Sequence, residues 1–202
     1  MGKEAVCVAR YGGEKSKGKA LLETNELIFR GDFRLKVAFA ALKSSRAVNG
    51  ELRLETPGGL AVFELGEQAA KWCEKILHPK TRMEKLGVQA GARVALVGKF
   101  QREFVDELRG VTGNIAKGNA GAKGEWIFLG AESQKDLAQL AKLAKGMLAT
   151  AAVWVVYPKG RKQLSENDVL AAGRKAGLKD VKVVGFSATH TGLKFVVPLD
   201  RR

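Results

Sequence analysis

The chain has 202 residues, 46% hydrophobic and 28% charged, with 35 Lys/Arg against 21 Asp/Glu and a net charge of +14. That length allows one large domain or two small ones, and that composition excludes a disordered chain. Two isolated cysteines, Cys7 and Cys73, exclude a disulfide framework and a cysteine metal cluster; with no apolar run of signal-peptide or membrane-spanning length, a cytoplasmic protein without a transmembrane segment is expected.

Residues 4–65 follow the period of two that half-buried strands show. Val6 and Val8 alternate, as do Leu27 and Phe29, then Phe33, Leu35, Val37 and Phe39, then Leu52 and Leu54, then Ala61 and Phe63. Gly12-Gly13, Thr24-Asn25, Gly31-Asp32, Asn49-Gly50 and Pro57-Gly58-Gly59 separate the runs. Asn-Gly and Pro-Gly supply the positive or fixed φ that tight hairpins need. With weaker pieces at 18–23 and 42–47, about seven short strands are expected. The period then changes. Ala69, Trp72, Cys73, Ile76 and Leu77 recur at helical spacing until His78-Pro79 stops the helix.

Several hairpins closed by one amphipathic helix carrying a Trp resemble the pleckstrin-homology and GRAM-like barrels. The resemblance covers residues 3–79 and implies a barrel with one C-terminal helix, a domain over 1–79. Residues 80–92 read as a connecting helix and turn, and 93–202 as a second domain.

In that second stretch strands alternate with helices. "RVALVG" is a buried strand and "QREFVDELRG" a short helix with Phe104 and Leu108 inward. "VTGNIA" and "EWIFLG" are strands around a glycine-rich loop holding Gly118, Gly121 and Gly124. "ESQKDLAQLAKLAKGML" is a helix with a stripe of Leu137, Leu140, Ala141, Ala144 and Leu148. "AAVWVVY" has no polar face, as a strand covered on both sides should. Ser165 and Asp168 form a capping box that opens a helix over 165–176, and Gly177-Leu178 fits its left-handed end. "VKVVGFS" and "LKFVVPL" lie too close together for a parallel crossover and must pair antiparallel. The fold expected is therefore α+β and α/β in two domains: a pleckstrin-homology-like barrel, then a small doubly wound α/β sheet ending in an antiparallel hairpin.

"KLGVQAGARVALVG", "WVVYPKG" and the closing "AAGRKAGLKDVKVVGFSATHTGLKFVVP" resemble a bacterial domain family with a pared-down, Rossmann-like methyltransferase fold. The resemblance covers about residues 80–200 and implies S-adenosylmethionine-dependent transfer as one activity to weigh. The residues themselves argue against that cofactor. Gly98 stands alone, with Lys99 and Phe100 where further glycines belong, and the second strand closes on Lys117 without the carboxylate that holds ribose hydroxyls. No cofactor is expected.

Other motifs are weaker. "GEKSKGKA" at 13–20 satisfies G-x-x-x-x-G-K, but Ala20 stands where Ser or Thr should meet Mg²⁺. Lys15, Lys17 and Lys19 are expected in the first hairpin loop, where they could meet anionic head groups. Ser187 and His190 do not spell G-x-S-x-G, and His190 is expected to hydrogen-bond locally in a turn. The two histidines are too far apart for a metal site.

Charge is uneven: residues 1–79 carry 13 Lys/Arg against 10 Asp/Glu, a net +3, and residues 80–202 carry 22 against 11, a net +11. A basic domain attracts polyanions. Lys159, Gly160, Arg161 and Lys162 follow a buried strand in "PKGRK", where open α/β sheets hold ligands, so this loop is the expected anion site. The reading is a non-catalytic binding or scaffold protein whose partner is a protein or an anionic ligand. The alternatives are an S-adenosylmethionine-dependent transferase and a non-specific binder of nucleic acid or acidic lipid.

Overall fold

A computed structural model describes residues 3–118 and 124–201. The chain divides into two compact units, Met1–Lys80 and Thr81–Arg202. Among the described residues no helix is long and apolar enough to cross a membrane.

In the first unit, strands β1 (Lys3–Tyr11), β2 (Glu14–Leu22), β3 (Glu26–Arg30), β4 (Arg34–Ala38), β5 (Ser44–Val48), β6 (Glu51–Thr56) and β7 (Gly59–Glu64) precede helix α1 (Gln68–Leu77). They form one antiparallel sheet in the order β4-β3-β2-β1-β7-β6-β5, curled into a half-barrel. Turn chemistry sets its register. Tyr11 pairs with Glu14 across Gly12-Gly13 and Val48 with Glu51 across Asn49-Gly50. Both residues of each pair have positive φ, as type I′ hairpin turns require. Inward residues such as Ala9, Phe29, Leu54 and Phe63 meet Ala69, Trp72, Cys73 and Ile76 of α1 in one core. Lys15, Lys17 and Lys19, expected in the hairpin loop, instead stand on the exposed face of β2. The two glycines close the turn before them, so the lysines fall within the ladder.

The second unit holds α2 (Arg82–Leu86), β8 (Val94–Val97), α3 (Arg102–Val111), β9 (Ile115–Lys117), β10 (Trp126–Gly130), α4 (Gln134–Gly146), β11 (Ala152–Pro158), α5 (Glu166–Lys175), β12 (Lys179–Gly185) and β13 (His190–Val196). The sheet order is β12-β13-β11-β10-β8-β9. Strands β8 to β11 are parallel, and β13 runs against both β11 and β12. This is the Rossmann-like doubly wound pattern: the chain leaves β8 for β9 on one side and returns to β10 on the other, which makes the gap beyond β8 and β10 the switch point. Leu137, Leu140 and Leu143 of α4 and Val169 of α5 pack on one face of the sheet. Met83 and Leu86 of α2 and Phe104 and Leu108 of α3 pack on the other. All seven residues of β11 are buried.

Within residues 80–92, Met83, Leu86 and Val88 are buried in the second unit's core, and Trp154 Nε1 donates to Leu86 O at 3.1 Å. Two expectations are corrected. The α4 stripe turns through Leu143, while Leu148 lies beyond the helix end and is exposed. Strand β9 keeps only Ile115–Lys117, because α3 extends to Val111. Of the glycine-rich loop, Gly121 lies outside the described residues.

Candidate functional site

Beyond the carboxyl ends of β8, β10 and β11 lies a cleft of about 270 Å³. Lys99, Phe100 and Gln101 enter it from the β8–α3 turn, Gly130 and Glu132 from the end of β10, Val156 from β11, and Phe186 and His190 from the β12–β13 hairpin. Glycine permits the floor. Gly98 leaves β8 with φ +89°, and a Cβ there would stand 2.6 Å from Gly130 O. A Cβ at Gly130 would likewise stand 2.6 Å from Lys99 O. Backbone therefore approaches backbone where a side chain would hold the strand ends apart.

One wall is aromatic. The Phe100 ring lies 5.3 Å from Phe104 and 6.5 Å from both Phe128 and Phe186. Behind it, the Arg82 guanidinium covers Phe104 and Phe186 at 5.4 and 5.1 Å and grips Glu107 through two hydrogen bonds of 2.9 and 2.6 Å. Phe100 thus packs on α3 and also borders the space beyond Gly98.

The polar side is built around Glu132. Ala131 N donates to Val156 O at 2.9 Å, extending the β10–β11 ladder by one step. This sets Glu132 at the rim. Glu132 Oε1 lies 3.0 Å from His190 Nε2, and Arg161 Nη1 reaches Oε2 at 3.3 Å. His190 Nδ1 lies 2.9 Å from Thr189 Oγ1, and His190 N donates to Ser187 Oγ at 3.1 Å. An ionised carboxylate can only accept, so Nε2 carries the imidazole proton and Nδ1 is left to accept from the Thr189 hydroxyl. The result is a carboxylate–imidazole–hydroxyl relay at the mouth of a cleft with an apolar wall. Such a relay can withdraw a proton from a bound group. His190, expected to hydrogen-bond locally and, with Gly98 and Lys99, a weaker candidate for anion binding, also joins a carboxylate 58 residues away.

The "PKGRK" loop, the expected anion site, packs beside this pair. Lys159 Nζ donates to Ser187 O at 2.7 Å and Ala188 O at 3.3 Å, clamping the turn that carries His190. Gly160, with φ +68°, reverses the chain. Arg161 is held by Glu132, and Lys162 is exposed. The structure therefore brings Gly98, Lys99, Arg161 and His190 to the cleft or its rim. Lys15, Lys17 and Lys19 belong to the first unit. Glu132 escaped the sequence reading, because "LGAES" looks like a strand end running into the Ser133 cap of α4. A carboxylate two residues after a buried parallel strand was the available signal. No cluster of three or more metal-binding side chains occurs among the described residues.

No protein-family model and no curated protein sequence matches this chain. Solved structures do match. The N-methyltransferase NodS from Bradyrhizobium japonicum is 13% identical, with 56% of this chain and 90% of that one covered at a TM-score of 0.43. A TehB-like SAM-dependent methyltransferase from Corynebacterium glutamicum is 10% identical, with 64% and 96% covered at 0.39. A putative methyltransferase from Bacillus halodurans is 6% identical, with 51% and 67% covered at 0.42. At these scores the likeness assigns no residue a role. All three are described as methyltransferases, one of them as putative. The expectation of a non-catalytic binding or scaffold protein is corrected accordingly.

Proposed function

We propose that the second unit is the catalytic unit of a transferase that takes a small molecule into the switch-point cleft and removes its proton through the Glu132–His190 pair. The 3.0 Å contact between Glu132 Oε1 and His190 Nε2 carries this reading. Glu132 orients the ring and stabilises it when it becomes cationic. Nδ1, 2.9 Å from the Thr189 hydroxyl, is the ring nitrogen left to take up the proton. Phe100, Val156 and Phe186 line the cleft around the deprotonated acceptor and limit its contact with water. Positioned proton transfer of this kind contributes about 10²–10⁴-fold to a rate.

S-adenosylmethionine is the donor that the sequence resemblance implies, and this chain's residues fit it incompletely. Gly98 gives the close backbone approach such a cofactor needs. Three features oppose it. Phe100 crowds the turn, Lys117 ends β9 and residues 117–124 contain no carboxylate for ribose, and 270 Å³ falls below the roughly 300 Å³ at which ligand pockets begin. The cofactor as a whole does not fit. For the first unit, the hairpin order and the Trp-bearing helix support the pleckstrin-homology-like reading.

The chain holds two histidines, His78 and His190, so imidazole NMR signals separate the site from an internal control. Titration with a library of small polar metabolites should shift the His190 signals and leave those of His78 in place. Val156→Trp, which fills the cleft, should abolish the shifts. Calorimetry with S-adenosylmethionine should show no saturable binding; a micromolar dissociation constant would make methyl transfer the reaction and refute the carboxylate argument. Equal responses of the two histidines to every compound would overturn the catalytic reading.

A further inference from the structure

We propose that the outward face of strands β1 to β4 binds the phosphate backbone of duplex nucleic acid. Alternate residues of a strand face opposite ways, and the buried positions of β2 are Ser16, Ala20 and Leu22. The outward set is therefore Lys15, Lys17 and Lys19. Their cross-strand partners share that face: Lys15 stands opposite Arg10, Lys19 opposite Arg30, and Arg30 opposite Arg34. Lys36 continues the row on β4. The modest +3 of residues 1–79 hides this segregation.

Like charges directly opposite one another destabilise a sheet, and this face holds three such pairs. Some are answered from within. Glu4 meets Lys19 at 2.9 Å, Glu26 meets Lys36 at 2.8 Å, and Glu51 and Glu64 hold Arg10. Among the described residues Lys15, Lys17, Arg30 and Arg34 have no ion-pair partner. Asp32, in the turn between β3 and β4, accepts from the Ser16 hydroxyl at 2.8 Å and forms no ion pair with these cations. Four exposed cations on adjacent strands are thus left to an outside anion.

Their spacing suits an array of phosphates. Residues two apart on β2 repeat every 6.8 Å or so, and neighbouring strands lie about 4.8 Å apart, so the charges form a regular lattice on a convex surface. The face carries no aromatic side chain, so it cannot stack unpaired bases as single-strand binders do. Its apolar residues are Val6, Val8, Leu21, Ile28 and the small Ala38, and of the larger ones only Val6, 68% exposed, protrudes. A lipid surface would need more apolar side chains for insertion. Duplex phosphate, read without base contacts, is the ligand that matches charge, regularity and the missing aromatics.

The test uses the whole chain and a labelled 20-base-pair duplex, followed by fluorescence anisotropy across a salt series. Four engaged phosphates give a slope near −3.6 in log affinity against log salt, about a 150-fold loss between 50 and 200 mM salt. The variant Lys15→Ser, Lys17→Ser, Arg30→Ser, Arg34→Ser should lose most of that slope and at least about 30-fold in affinity at 50 mM salt. A control with the same charge change on the second unit, Lys142→Ser, Lys145→Ser, Arg174→Ser, Lys175→Ser, should stay within about threefold of the parent, since those cations engage no phosphate. Melting curves check folding; removing like-charged neighbours should leave the face variant at least as stable as the parent. Equal losses in both variants, or no duplex binding by the parent at 50 mM salt, would overturn the proposal. So would capture by acidic phospholipid vesicles in preference to the duplex.

Discussion

Gly98→Ala tests whether the floor of the cleft depends on two strand ends touching. A Cβ at position 98 would lie 2.6 Å from Gly130 O, a backbone atom fixed by the sheet, and would sit on a residue with φ +89°. The left-handed backbone costs a non-glycine residue about 1–2 kcal/mol. Forcing an atom into a packed contact costs about 1–3 kcal/mol. Gly98→Ala should therefore lose about 2–5 kcal/mol. Gly130→Ala meets Lys99 O at the same 2.6 Å with no positive φ, so it should lose only the contact part, about 1–3 kcal/mol. The two changes push the same strand ends apart. Together they should cost less than their sum. Urea unfolding, read from Trp126 and Trp154 in a Trp72→Phe background at unchanged slope, measures all three variants. Equal losses for the two single variants would refute the backbone-strain part, and strict additivity would refute the shared contact.

Three further outcomes follow from local chemistry. Ser165→Ala removes the hydroxyl that accepts from Asp168 N at 3.2 Å, so urea titration should show a loss of about 1 kcal/mol. The Ser165 hydroxyl and backbone N–H donate to Asp168 and hold its carboxyl below the ordinary range. A depressed folded value gives stability that is present above the unfolded value and lost as pH falls through the folded one, so Asp168→Asn should flatten the acid limb of a stability–pH curve. Burial, then the charge of Glu64, pushes the Cys7 thiol up to about 11 from its ordinary 9.0. A raised folded value gives stability that is full below 9.0 and lost as pH climbs toward 11; Cys7→Ala should remove that alkaline loss, and a disulfide reagent at pH 8 should leave Cys7 unmodified until the protein unfolds.

Much of this fold is carried by neighbours in sequence. Strand alternation and the Gly12-Gly13 and Asn49-Gly50 turns specify the first sheet, because handedness and φ are decided within a few residues. The α5 helix is equally local. Its capping box forms at Ser165 and Asp168, and at its other end Gly177, with φ +74°, and buried Leu178 close it. The all-apolar β11 announced a strand covered on both sides, and it is. Tertiary structure decided the rest. Whether Leu143 or Leu148 faced inward depended on where the sheet ended α4. Whether Lys15, Lys17 and Lys19 formed a loop or a face depended on a register fixed by two glycines. The Glu132–His190 pair was hidden most completely. Glu132 stands two residues past the end of β10 and His190 opens β13, and they meet only because β11, which lies between these strands, brings those two strand ends together. Local propensity fixes helices, strands and caps, whereas a contact across 58 residues is fixed by strand order, which no short stretch of sequence encodes.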